Sequence, residues 1–408
     1  MIPFSPPRVD DKTVEEVSKA LLSGWITTGP RTREFEQRIA SYCGAEKVLC
    51  VNSASAGLEL ALRWFGVQAG DEVILPAYTY AATANVVIHC GATPVMVDSN
   101  NDDFNINIEA VKRAITPKTK VIMPVDIGGM PCDYRALHLL VNDPAVKQMF
   151  IPHTDNQRTL SRIMILSDSA HSIGGVYHEK KTGSLADISV FSFHAVKNLT
   201  TAEGGAVCLN LPNVFSSEEI YKQLNIKSLH GQTKDAFSKM QIGNWEYDIV
   251  EAGQKCNMTD IAAAIGLVEL ARYENDMLVK RKAIFDAYSA AFAQEPWAEI
   301  PLYGTSDRTS SYHLYLLRIK NISIVQRNDI INKIFQQEVA VNVHYKPLPL
   351  MTYYKNLGYN MNHYPVAYDN YSREISLPVY YNLSNKDINM VIKAVKTAVN
   401  QVLYNIDA

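Results

Sequence analysis

The chain lacks most of the features that mark metal, membrane or nucleic-acid proteins. Its six cysteines are spread over 408 residues with no Cys-x-x-Cys pair and no spacing that resembles a zinc site. Its ten histidines never fall in a His-Glu-x-x-His pattern. No structural or catalytic metal is expected, and Cys43, Cys50, Cys90, Cys132, Cys208 and Cys256 read as reduced thiols of a cytoplasmic protein. A basic surplus is also missing: 39 Lys and Arg against 42 Asp and Glu give a formal net charge of −3, too few cations for the phosphate contacts of a nucleic-acid partner. Long apolar runs are absent. The most apolar windows, Asn85–Val97 and Asp260–Leu270, are too short or too interrupted for a bilayer crossing of about 20 residues. The opening MIPFSPPRVDDK carries prolines and aspartates where a secretory signal needs a basic start and an apolar stretch.

What is present is a globular composition, 47% hydrophobic and 20% charged, long enough for two or three domains around substantial cores. From Glu46 onward, short β-rich runs alternate with amphipathic stretches, as in a sheet of βαβ units covered by helices. The expected strands are Lys47–Val51, Glu72–Leu75, Thr93–Val97, Lys120–Val125, Ile163–Ser167, Ile188–Ser192 and Ala206–Leu209. Helices are expected at Ala56–Phe65, Ala81–His89, Ile108–Ala114 and Tyr134–Leu140, whereas Asn142–Arg162 is polar, poorly periodic and reads as a surface excursion. After Asp260 the pattern becomes a long helical run through Phe292. It is followed by Tyr312–Ile319, an amphipathic Arg327–Glu338, short strands near Val341 and Ile375, and a helix from about Lys386. That order predicts an α/β fold, with a large domain over 1–255 and a smaller α+β domain with its connecting helix over 256–408.

Several short segments hold residues with chemical potential. Lys197 sits in VFSFHAVKNLTTAEGGAVCLN between two apolar strands, although a lone lysine is ordinarily a solvated charge. Asp168 ends an apolar strand in LSDSAHSIG, a place where turn and helix-cap aspartates are equally common, and His171 beside it reads equally as a packed histidine. Asn52–Gly57, NSASAG, follows a strand and opens a helix, so Ser55 and Ala56 can offer an anion free N–H groups at a positive helix end, or simply cap it. Tyr80 in LPAYTYAAT competes with packing roles in a chain of 22 tyrosines, and Asn257 precedes a helical run as a cap would.

Taken together, Ser192-Phe193-His194, Lys197-Asn198 and Glu203-Gly204-Gly205 resemble the cofactor-lysine segment of the DegT/DnrJ/EryC1/StrS family of sugar aminotransferases. The likeness extends through WITTGP at Trp25–Pro30, Phe35-Glu36, Gly129–Asp133, Val343-His344-Tyr345 with Pro347, and Ser376-Leu377-Pro378, nearly the whole chain. It implies an aspartate-aminotransferase-like fold of type I, whose large domain binds pyridoxal 5′-phosphate (PLP) on a mostly parallel sheet flanked by helices. Lys197 would hold PLP as an imine, Asp168 would partner the pyridine nitrogen, and His171 would lie near the ring and its phenolic oxygen. Ser55, Ala56 and Ser192 would take the phosphate and Tyr80 would stack on the ring. Asn257 would reach the phosphate in the neighbouring subunit of a homodimer with shared sites. The substrate side would be built from Thr28, Gly29, His194, His344 and Tyr345. A departure is Gln254, where relatives commonly carry tyrosine.

The resemblance implies transfer of an amino group from an amino acid, L-glutamate in the leading reading, to a keto-sugar on a nucleotide, with a UDP-linked 4-keto-6-deoxy hexose foremost. Family dehydratases carry histidine in place of the lysine, so Lys197 favours transamination. The rivals are a lyase or amino-acid aminotransferase of the same fold and, from another class, a non-catalytic sugar-nucleotide sensor.

Overall fold

In the computed structural model, which describes residues 1–234 and 246–404, two helices precede the alternating region: α1 (Asp11–Leu22) and α2 (Pro30–Cys43). The chain then runs through β1 (Lys47–Val51), α3 (Ala54–Phe65), β2 (Glu72–Pro76), α4 (Ala81–His89), β3 (Thr93–Val97), α5 (Ile108–Ala114) and β4 (Thr119–Ile122). Next come α6 (Tyr134–Asn142), α7 (Pro144–Met149), α8 (Asp155–Leu160) and β5 (Met164–Asp168), a small hairpin of β6 (Val176–Tyr177) and β7 (Lys180–Lys181), and then β8 (Ile188–Ser192) and β9 (Gly205–Leu209). The main sheet has seven strands in the order β1-β9-β8-β5-β4-β2-β3. Only β9 runs against its neighbours, so β1 and the β8-to-β3 row all point their carboxyl ends to one edge. Strands covered on both faces read as continuous apolar runs, and every residue of β5 and β8 is buried. Gly57 lets α3 lie close on this sheet, since a Cβ there would come within 2.9 Å of Val190 and Val207.

After α9 (Ser217–Ser228), α10 (Asp260–Ala271) packs Ala263, Leu267 and Leu270 against Phe35, Phe191 and Phe193 beneath the sheet. A π-type turn at Tyr273–Met277 separates it from α11 (Leu278–Phe292). A second core follows, built on β10 (Ala298–Glu299), β12 (Tyr315–Ile319) and β13 (Glu374–Leu377), while β11 (Arg308–Thr309) joins the β6–β7 hairpin. α12 (Ile324–Gln336), α13 (Thr352–Asn356), α14 (Pro365–Arg373) and α15 (Asn385–Tyr404) complete the chain. Ile2 belongs to this second core: its N–H donates to the Glu338 carbonyl at 2.7 Å and its carbonyl accepts from Ala340 at 2.9 Å. From there the N-terminal strap crosses Phe4, stacked on His344 at 5.3 Å, and Ser5, whose hydroxyl donates to the Val196 carbonyl at 3.3 Å.

Three expectations need correction. Asn142–Arg162 is not a solvated excursion, because α7 and α8 bury Val146, Phe150 and Leu160 in the main core. Gln157 donates from there to the Phe65 carbonyl at 3.1 Å, at the far end of α3 from Ser55. Helices of six residues are too short to display a helical period. Val341 is buried but forms no strand; its neighbour Asn342 makes an isolated bridge to Ser376. The run from Asp260 to Phe292 is two helices, broken where Tyr273 turns inward and donates to the Ile173 carbonyl at 2.7 Å.

Candidate active site

The carboxyl ends of β1, β2, β5 and β8 surround a cavity of about 360 Å³, the place where open α/β sheets collect ligands. Ser55, Tyr80, Asp168, His171, Ser192, His194, Lys197, His344 and Tyr345 all line it. Lys197 lies in the turn after β8. Its neighbour Asn198 anchors that turn, donating to the Ser311 carbonyl at 2.7 Å and to Tyr273 at 3.2 Å. Burial disfavours the ammonium and lowers Lys197 to about 8, while the facing Asp168 carboxylate pulls it back up. The result is an amine that titrates about one unit above neutrality, so that roughly a tenth of it is free base at pH 7.

Asp168 ends β5 with 6% of its surface exposed. Burial pushes the Asp168 carboxyl above the usual carboxylate range, and a hydroxyl from Thr83 at 2.8 Å, the Ala170 amide at 3.3 Å and the charge of Lys197 oppose that rise. Asp168 and Lys197 both line the cavity, a buried carboxyl group and a poised amine. His171 Nδ1 accepts from the Gly128 amide at 3.3 Å, so in the neutral ring the proton sits on Nε2, 2.9 Å from the Tyr345 hydroxyl. Burial first, and then the charges of Lys197 and His344, hold His171 well below the usual histidine range, which keeps it neutral. The Tyr80 ring is 63% exposed and sits 5.8 Å from that of Tyr345, so packing does not account for it.

At the first turn of α3, the Ser53 hydroxyl accepts from the Ala56 amide at 3.2 Å. The unpaired amides are therefore those of Ala54 and Ser55, which have no carbonyl to bond within the helix. Gly205 keeps this end open, since a Cβ there would lie 2.6 Å from the Ala54 nitrogen. Ala56 lies outside the cavity, in an adjoining hollow where Gln254 donates to Glu59 at 2.6 Å. Thr28, Gly29 and Asn257 also lie outside. Asn257 donates to the Thr28 hydroxyl at 2.6 Å, and the Gly29 amide donates to Asp260 at 2.8 Å. Asn257 does not cap α10: that position belongs to Thr259, whose hydroxyl accepts from the Ala262 amide at 3.3 Å.

This donor set suits PLP. A helix end with two serine hydroxyls fits a phosphate, a buried carboxylate fits a protonated ring nitrogen, an amine faces that carboxylate, and an exposed tyrosine can cover a flat ring. The DegT/DnrJ/EryC1/StrS aminotransferase profile matches residues 7–149 and 152–396. The chain belongs to this family. It is 34% identical to the spore coat polysaccharide biosynthesis protein SpsC of Bacillus subtilis over 98% of this chain and 97% of that protein. Among solved structures, the putative sugar aminotransferase Spr1654 from Streptococcus pneumoniae in its PMP form is 48% identical with a TM-score of 0.95, covering 99% of this chain and 100% of that one. Helicobacter pylori PseC, an aminotransferase involved in the biosynthesis of pseudoaminic acid, is 29% identical with a TM-score of 0.84 over 98% and 99%. The structure of Spr1654 in its PLP form is 46% identical. The protein is thus a PLP-dependent sugar aminotransferase of fold type I. Among the described residues, no helix is long and apolar enough to cross a membrane.

Neighbours whose contacts no local motif revealed complete the aminotransferase site. Thr83 was visible only as part of LPAYTYAAT, and one helical turn from Tyr80 carries it to Asp168. His313 packs 4.4 Å from His171 and bonds Asn198 at 2.8 Å, yet its sequence surroundings give no sign of this. Glu374 and Ser376 hold His344, and only the pairing of β13 with Asn342 brings them there.

Proposed function

We propose that this enzyme transfers the amino group of L-glutamate to a keto-sugar carried on a nucleotide, foremost a UDP-linked 4-keto-6-deoxy hexose, in making an amino-sugar for a surface polysaccharide or glycan. The observation that carries the reading is the poised amine of Lys197 facing the buried carboxylate of Asp168 beside a polar wall of His344 and Tyr345. SpsC and PseC, named for polysaccharide and pseudoaminic acid biosynthesis, support the substrate class. Bound PLP supplies an electron sink when a C–H bond of the substrate is broken. Asp168 would hold a proton on the pyridine nitrogen, and Lys197 would bind the cofactor and, as a free amine, move the proton at the substrate carbon. Ser55, Ser192 and the open end of α3 would hold the phosphate, Tyr80 would stack on the ring and His171 would lie near it.

In this reading residues 1–255 carry the cofactor and 256–408 close the substrate side. His194, His344 and Tyr345 meet the sugar nucleotide. Thr28, Gly29 and Asn257, which do not line their own cavity, serve the neighbouring subunit of a homodimer, with Asn257 reaching its phosphate. The test is to incubate the purified enzyme with glutamate and a panel of UDP-, dTDP- and GDP-keto-sugars and to read products by mass spectrometry. An aminated sugar nucleotide is the expected product. Amination of simple keto acids alone would refute the proposal.

A further inference from the structure

Behind the cavity wall, three side chains form a line that the amino-transfer chemistry does not use. His344 lines the cavity and its Nδ1 lies 2.8 Å from the Ser376 hydroxyl, which in turn lies 2.5 Å from Glu374 Oε1. Glu374 Oε2 accepts the His344 backbone N–H at 3.1 Å. Ser376 and Glu374 are buried to 0% exposure, so water does not interrupt the line. With Nδ1 engaged, Nε2 is the one ring nitrogen of His344 left for a ligand.

We propose that Glu374, Ser376 and His344 form a proton wire that stores a proton on Glu374 and so decides whether His344 meets the ligand as a hydrogen-bond acceptor or donor. The bond directions follow from the chemistry of the three groups. When Glu374 is a carboxylate, it accepts the Ser376 O–H, Ser376 Oγ accepts the Nδ1–H of His344, and Nε2 presents a lone pair. When a proton arrives from the cavity at Nε2, the Nδ1 proton passes to Ser376, the Ser376 proton passes to Glu374 Oε1, and His344 is left neutral with Nε2–H. One proton enters and one carboxylate becomes a carboxyl.

Burial raises Glu374 to about 8 and lowers His344 to about 4, so the carboxyl titrates near neutrality while the ring remains neutral in both states. Arg327 and Arg318 face Glu374 and limit that rise, Tyr78 and Tyr345 lie in its field, and Lys197 faces His344. The acceptor state suits a sugar hydroxyl and the donor state suits a carboxylate or carbonyl oxygen. This assignment of ligands rests on the proposed function; the wire itself rests on the geometry.

Glu374→Gln separates the two states. Its amide oxygen must stay on the His344 N–H, which turns the NH₂ toward Ser376, makes Ser376 donate to Nδ1 and locks His344 with Nε2–H. The experiment is difference infrared spectroscopy of the PLP-loaded enzyme across a pH range bracketing 8, with ring-labelled histidine and the His344 band assigned by its loss in His344→Phe. The expected result is a protonated-carboxyl band lost as pH rises through about 8, together with a His344 tautomer band that moves at the same midpoint. Both changes should vanish in Glu374→Gln. Ser376→Ala should keep the carboxyl band but freeze the histidine band, and Ser376→Thr should restore the coupling. A carboxyl band absent from this range, or a histidine band that still follows pH in Ser376→Ala, would overturn the wire. Failure of every keto-sugar as substrate would instead overturn the proposed function and leave both bands in place.

Discussion

Asp168→Asn should push two measurable rates in opposite directions. With Lys197 at about 8, roughly one amine in ten is a free base at pH 7, against fewer than one in a thousand for an ordinary lysine. The Asp168 charge opposes the effect of burial, so removing it lowers Lys197 further and raises the free fraction. The ceiling is about tenfold at pH 7, where all of the amine would be free. The step that needs the ring nitrogen protonated should slow. A hydrogen bond to a charged group is worth about 1.5–3 kcal/mol, which corresponds to roughly a 10- to 150-fold loss. Thr83 and the Ala170 amide can still bond an asparagine, so the fold should survive. Stopped-flow absorbance would follow PLP attachment to apoenzyme as a function of pH, and then a single turnover with glutamate. In the wild type, attachment should rise about tenfold per pH unit up to about 8 and then level off, because the amine is charged only below that point. Slower attachment by the variant at pH 7, or a near-normal single turnover, would refute the pairing of these two residues.

Borohydride treatment followed by peptide mapping should place the cofactor on Lys197, and its appearance on another lysine would remove the central assignment. Lys197→Ala should still bind pyridoxamine phosphate, because Ser55, Ser192 and the α3 end remain, yet lose multiple turnover; equilibrium dialysis and product counting read the two. Tyr80→Ala should lose PLP faster on dialysis with thermal stability nearly unchanged, since an exposed side chain contributes within about 0.5 kcal/mol to folding. Mixing Lys197→Ala with an inactive Asn257 variant should recover roughly a quarter of wild-type activity. Random exchange makes half the dimers mixed, each with one complete site. No recovery after verified subunit exchange would reject the shared site.

The main sheet was legible because its strands are apolar on both faces and punctuated by turns. Thr93–Val97 and Ile188–Ser192 have the expected bounds, and so do the helices Ala81–His89 and Ile108–Ala114. The N-terminal helices carry no such pattern. The 14 residues of α2 are rich in charge, and what orders them is burial of Phe35 and Ile39 against α10, which lies more than two hundred residues away in sequence. The cavity residues on strand ends were legible because they lie inside long motifs. The contacts that support them were not: Asn198 and Ser376 lie in motifs, but they meet His313, Glu374 and His344 only through tertiary pairing. Ala56 was legible as part of a phosphate turn, but the choice between its amide and those of Ala54 and Ser55 depends on which one the Ser53 hydroxyl occupies.

The strap from Ile2 to Ser5 sets an order of assembly. A ribosome releases these residues before the second core, but Ile2 has no pairing partner until Glu338 and Ala340 have emerged, and Phe4 has no ring to stack on until His344 has. The large sheet, complete by Leu209, can therefore form while the cavity still lacks a wall. Closure of so long a loop carries an entropic cost and makes a late step. A nascent chain stalled before residue 338 should accordingly hold a folded sheet while Ile2 to Ser5 remain open to protease, and the same residues should become protected only once the second core has formed.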